Sequence, residues 1–90
     1  MSLQISEKNE VFYLNGKINF ETTTFFKKYF VKLNKEKIVI NIENVKQIDK
    51  EGLKAILVLI NLANRNNKLF SITGYGCKEI YDYFDQMNVA

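Results

Sequence analysis

The residues best placed to do chemistry stand together in "QIDKEGLKAILVLI", where Asp49, Lys50 and Glu51 put three charges and Gly52 directly ahead of a strongly apolar run. Acid–base work, if the chain did any, would fall to Asp49 and Glu51, and no candidate substrate pocket surrounds them in the sequence. There is no histidine, which removes every mechanism built on an imidazole base or ligand. A lone cysteine without histidine also leaves no zinc site of the usual ligand types. The "GYG" at positions 74–76 lacks the spacing and the Lys-Ser/Thr of a phosphate-binding loop, and reads as a turn into a helix. Cys77 lies near the start of that helix, where thiols can become acidic, but it also falls on the helix's apolar stripe, which favours a buried structural role. These residues imply no enzyme, no cofactor and no metal centre.

Elements with clear periodicity must position the charged cluster. Leu3 and Ile5 alternate with polar residues, and "VFYL" follows the turn-like "EKNE", so two short strands joined by a hairpin are expected. Asn15-Gly16 is a turn signal, read here as the single turn leading into a helix, with a second hairpin into "KINF" as the alternative. In that helix Phe26, Tyr29, Phe30 and Leu33 fall at i, i+3, i+4 and i+7, with Asn19 or Thr22 as N-cap. "KIVINI" is the β-branched run of a strand covered on both faces. A second helix runs from near Lys50 to about Asn66, then "KLFSIT" forms a strand. Cys77, Ile80, Phe84 and Met87 give a last helix. The order β-β-α-β-α-β-α is that of one α/β domain with an open, mixed sheet over residues 1–90.

Within the second helix, Leu53, Ile56, Leu57, Ile60 and Ala63 form a broad apolar face, the expected core side. A separate stripe consists of Glu51, Ala55, Val58 and Leu62, at i, i+4, i+7 and i+11. Two accounts of it stand open. In one, Asp49 is an N-cap, Glu51 complements the helix dipole, and the stripe packs against a neighbouring helix. In the other, the stripe is a docking surface with an anion at its tip.

Composition narrows the partners. The net charge of +3 is the balance of 13 basic and 10 acidic residues, the basic ones scattered along the chain without the dense stripe of a nucleic-acid reader. The longest apolar run, Ala55 to Ile60, has six residues, far short of the roughly 20 that a membrane span needs. The N-terminus lacks the basic-then-apolar pattern of a signal peptide, and a single thiol suits a reducing compartment, so a cytoplasmic protein is expected. A homodimer remains open.

Three segments in the right order resemble the STAS domain family, the fold of anti-sigma-factor antagonists and of the tails of sulfate transporters. "GKINFET" (Gly16 to Thr22) is similar to the family's Gly-x-Ile/Leu-Asp-x-x-Thr, with Asn19 in the Asp position. "VKQIDKEGL" (Val45 to Leu53) is similar to V-x-x-I-D-S-S-G-L, and "LFSITGYGCKEIYDYF" to the last strand and helix. The resemblance spans about positions 5 to 89. It implies a non-enzymatic interaction module whose partner is an anti-sigma factor, a serine kinase of ATPase fold. In switching relatives the second serine of the motif is phosphorylated and the complex breaks. Here Lys50 and Glu51 replace both serines, so Glu51 occupies the phospho-acceptor position without a hydroxyl to modify. The implied partner surface is Asn19, Asp49, Lys50, Glu51, Ala55, Val58 and Leu62. The resemblance also offers a second role, as an accessory subunit on the cytoplasmic ATPase of an ABC-type transporter, which needs no phosphoserine.

Overall fold

The computed structural model describes residues 2–33 and 35–86, with side chains up to Tyr83. Its elements follow the expected order: β1 (Leu3–Lys8), β2 (Val11–Ile18), α1 (Thr23–Val31), β3 (Lys37–Ile48), α2 (Lys50–Arg65), β4 (Leu69–Thr73) and α3 (Lys78–Gln86). The sheet has four strands in the order β1-β2-β3-β4. β1 and β2 are antiparallel, and β2–β3 and β3–β4 are parallel. Parallel neighbours need long connections, which α1 and α2 supply.

Asn9 and Glu10 close the β1–β2 hairpin with φ of 53° and 68°, the two positive values that suit the right-handed strand twist. Beyond it, β2 alternates, with Phe12, Leu14 and Ile18 buried and Tyr13, Asn15 and Lys17 exposed. The expected turn at Asn15-Gly16 is absent, and so is the alternative hairpin: β2 runs straight through both residues. Gly16 instead sits at a register shift against β3, with φ of 121°. A Cβ there would lie 2.0 Å from the Ser2 carbonyl oxygen, so the glycine serves a close strand approach.

β3 also departs from expectation. Ile38, Ile40 and Ile42 are buried, whereas Val39 and Asn41 are only half-buried. One core joins those isoleucines to Phe26 and Phe30 of α1, to Ala55, Ile56 and Leu59 of α2, and to Cys77 and Ile80. The helices therefore cover one face of the sheet, and the opposite face carries Tyr13, Asn15, Ser71 and Leu69, all exposed. β3 is 12 residues long because it continues past the end of β4, whose pairing stops at Asn41–Thr73. Polar Glu43, Asn44, Lys46 and Gln47 fall in that overhanging half. In α1, Phe30 packs edge-on against Phe12 at 5.4 Å and Phe26 at 5.2 Å, contacts worth about 0.5–1.5 kcal/mol each beyond burial. Cys77, immediately ahead of α3, and Ile80 within it are buried as their spacing suggested; the Phe84 side chain and Met87 lie outside the described residues.

Candidate functional site

The charged cluster is the junction between β3 and α2. Asp49 is the N-cap of α2: its Oδ1 accepts from the Gly52 amide at 2.8 Å, a bond typically worth about 1 kcal/mol. Its Oδ2 accepts from the Phe20 amide at 3.1 Å, from the loop between β2 and α1. The Asp49 backbone is engaged too, N–H donating to the Ile18 carbonyl and C=O accepting from Leu53. Gly52 explains how these segments come so close, because a Cβ there would lie 2.3 Å from the Ile18 carbonyl oxygen and 2.7 Å from Ile48 Cγ1. The tip of β2 and the first turn of α2 are thus in backbone contact.

Asn19 shapes the loop from the other side. Its Oδ1 accepts from the amides of Glu21 (3.0 Å) and Thr22 (3.2 Å), forming the turn ahead of α1. Thr22 is the N-cap residue of α1, but its buried hydroxyl turns back to donate to the Lys17 carbonyl at 2.9 Å and accepts from the Asn19 amide at 2.9 Å. An asparagine can take the place of an aspartate here, since a carbonyl oxygen supplies the acceptor that the turn uses.

Lys50 and Glu51 point to solvent. Glu51 lies in the first turn, where the helix dipole favours an anion by about 0.3–1 kcal/mol, and its nearest cation is Lys54 at 3.6 Å. Both groups of that pair are more than half exposed, so the pair itself contributes little.

The predicted stripe divides along its length. Ala55 is buried in the core, 2% exposed, and is not available to a partner, which corrects the expectation for that residue. Leu62 is half-buried and lines a small apolar cleft with Phe30 and Val31, so this flank of α2 faces α1. Val58 stands out at 49% exposure. The core side of α2 is correspondingly rotated from the expected face: Gly52, Ala55, Ile56, Leu59 and Ala63 are buried, and Leu53, Leu57 and Ile60 only half-buried.

Two residues at the site went unnoticed in the sequence. Phe20 is 68% exposed although aromatic, beside the capped end of α2. Its one sequence signal was that it stands outside the apolar periodicity of α1. Glu79, from the first turn of α3, lines an open groove with Asn19, Phe20, Lys46 and Asp49. Its Oε2 accepts from the Cys77 thiol at 2.9 Å, a bond that holds the Glu79 carboxyl below its ordinary range. Burial, then that same bond, pushes the Cys77 thiol up to about 11, which is the opposite of an activated nucleophile. Among the described residues, no group of three or more Cys, Asp or Glu is placed to hold a metal ion.

A mixed four-stranded sheet with helices over one face, and a capped helix start at the end of its longest strand, define a single α/β domain. The profile of the STAS domain family matches residues 1–88, and the chain belongs to that family. No curated protein sequence matches. Among solved structures, the phosphorylated form of the Bacillus cell fate determinant SpoIIAA superposes with a TM-score of 0.76 at 12% identity, covering 97% of this chain and 84% of that one. A protein from Thermotoga maritima, described as a candidate anti-sigma factor antagonist, gives 0.73 at 19% identity over 97% and 79% of the two chains. A sulfate transporter family protein from Wolinella succinogenes gives 0.69 at 15% identity over 88% and 66%. The chain spans only 20% of a longer matching structure, Mglu. At these identities the likeness is one of fold. No helix among the described residues is long and apolar enough to cross a membrane.

Proposed function

We propose that the chain is a regulatory protein-interaction module of the anti-sigma-factor-antagonist type, acting in the cytoplasm, with a fixed charge where switching relatives take up a phosphate. The observation that carries this reading is Glu51, which is exposed in the first turn of α2, at the position that the resemblance assigns to the phosphoserine. From Asp49 to Gly52 no residue has a hydroxyl. A carboxylate brings one charge and two oxygens, against the about −1.5 to −2 charge and three acceptor oxygens of a phosphate, and Lys50 beside it offsets part of that. The module has no phospho-switch at this position, and Glu51 is either a lasting imitation of the modified state or a contact to a basic group on the partner. The reading is non-enzymatic, supported by the absence of histidine and by a thiol that keeps its proton to about pH 11.

The partner in this reading is a serine kinase of ATPase fold, met by Lys50, Glu51 and Val58, with Leu62 at the edge. The family resemblance offers a second reading, an accessory subunit on the ATPase of an ABC-type transporter, which the missing serine at position 51 suits because that role needs no phosphoserine. Incubation with the purified anti-sigma kinase of the host and ATP separates the two. The first reading expects phosphate transfer only to the Lys50→Ser/Glu51→Ser double variant. With Glu51 as a contact the wild type forms a complex that survives ATP, and with Glu51 as an imitation of the modified state only the double variant binds the kinase. No complex and no transfer, with a transporter ATPase captured instead, would replace it by the second.

A further inference from the structure

Asp49 differs from the other charged residues of the site in having every hydrogen-bonding group engaged inside the molecule. Its N–H goes to the end of β2, its C=O to Leu53, one carboxylate oxygen to Gly52 and the other to Phe20. Bonds from backbone amides to a carboxylate are among the stronger ones, and these two span 29 positions on one side and three on the other. The same seam is closed independently at Gly52, where the backbone of α2 leaves no room for a Cβ against Ile18. On its far side the loop is set by Asn19 and by the buried Thr22 hydroxyl.

We infer that Asp49 is a positioning residue: its carboxylate locks the β2–α1 loop to the first turn of α2, holding Phe20 and Glu51 in one fixed arrangement for the partner. This rests on the interaction-module reading given above and reassigns Asp49 within it, from a contact to the part that presents the contacts. The chemistry follows from what is displayed. Phe20 offers a mostly exposed ring on a backbone fixed at both ends, and Glu51 offers an anion on a capped helix. Ordering them during folding spares the complex the entropy of ordering them on binding, and exposed aromatics on rigid backbone are the residues that commonly dominate interfaces. The complementary partner surface has an apolar socket for the ring beside a cationic group.

The test separates the two oxygens. Asp49→Ser keeps an N-cap acceptor for Gly52, but a single short hydroxyl cannot also reach the Phe20 amide. Backbone amide exchange followed by NMR should show α2 still protected in this variant, while the Phe20 amide exchanges about tenfold to a hundredfold faster, as for loss of a bond to a charged acceptor. Affinity for the host's anti-sigma kinase should fall about tenfold in the wild-type background. It should fall by no more than about twofold further in a Phe20→Ala background, because residues acting through one another are not additive. Unchanged exchange at Phe20 would overturn the lock. Faster exchange with unchanged affinity, or with the same affinity loss in both backgrounds, would overturn the positioning role, the latter by making Asp49 a direct contact. A wild type that does not bind the kinase would remove Glu51 as a contact and with it the positioning role, while the exchange measurement still decides the lock.

Discussion

Two effects of the same sign hold the proton on Cys77: burial, which penalises the thiolate, and the bond it donates to Glu79. The thiol ordinarily titrates at 9.0 and here at about 11. The folded chain therefore keeps a proton that the unfolded chain releases first, so the stabilisation is complete below about pH 9 and is lost as pH rises to about 11. That loss is on the order of 2 kcal/mol and is measurable by urea denaturation across this range. Alkylation by iodoacetamide in the native state should be slow at pH 8, and Glu79→Gln should speed it by removing the second of the two causes. Cys77 was legible as structural because its spacing continues the apolar stripe of α3 by one residue ahead of the helix. Its tie to Glu79 was not legible, since a carboxylate two positions away reads as ordinary first-turn charge.

Along α2, three residues of one stripe have three different environments. Val58→Asp places a charge on a half-exposed position and should leave the far-ultraviolet circular dichroism spectrum unchanged while abolishing partner binding; unchanged binding would remove the stripe from the interface. Ala55→Asp, with an unpaired charge in the core, should lose several kcal/mol and unfold the domain. Helical spacing identified the stripe but not its depth, because the angle between positions fixes which residues align and says nothing of where the next helix stops. The start of α2 was legible at Asp49, where capping is local. Its link to Phe20 crosses 29 positions and leaves no periodic trace. In β3, the run "KIVINI" looks the same whether the second face is covered or merely half-shielded by neighbouring side chains. In β2, the Asn15-Gly16 signal describes the local backbone correctly, since Gly16 does need positive φ. What it omits is the Ser2 carbonyl that makes the need one of strand approach.

At the scale of the whole molecule, the order of elements was readable because each strand and helix carries its own period, and parallel strands separated by helices allow few arrangements. The seam between β2 and α2 then decides whether those elements close into one unit. Gly52→Ala pushes a methyl against a carbonyl of the strand backbone, which no rotamer change can relieve. It should cost roughly 1–3 kcal/mol or more in chemical denaturation, against a gain in helix propensity of at most about 1 kcal/mol. A neutral or stabilising result would mean that the seam is loose. The hairpin described above also has a consequence for the order of events in folding. Lys8 meets Val11 across a two-residue turn, whereas Val11 must find Val39, and Lys37 must find Leu69. The hairpin can close within about 1–10 μs, long before either parallel pairing, and then offers β2 as the template on which β3 docks. Glu10 carries strain in that turn, an L-residue held at φ of 68°. Glu10→Gly should lift the folding limb of a chevron plot by roughly twofold to fivefold and leave the unfolding limb nearly unmoved, because the hairpin is already closed when β3 docks and stays closed when the finished domain starts to open.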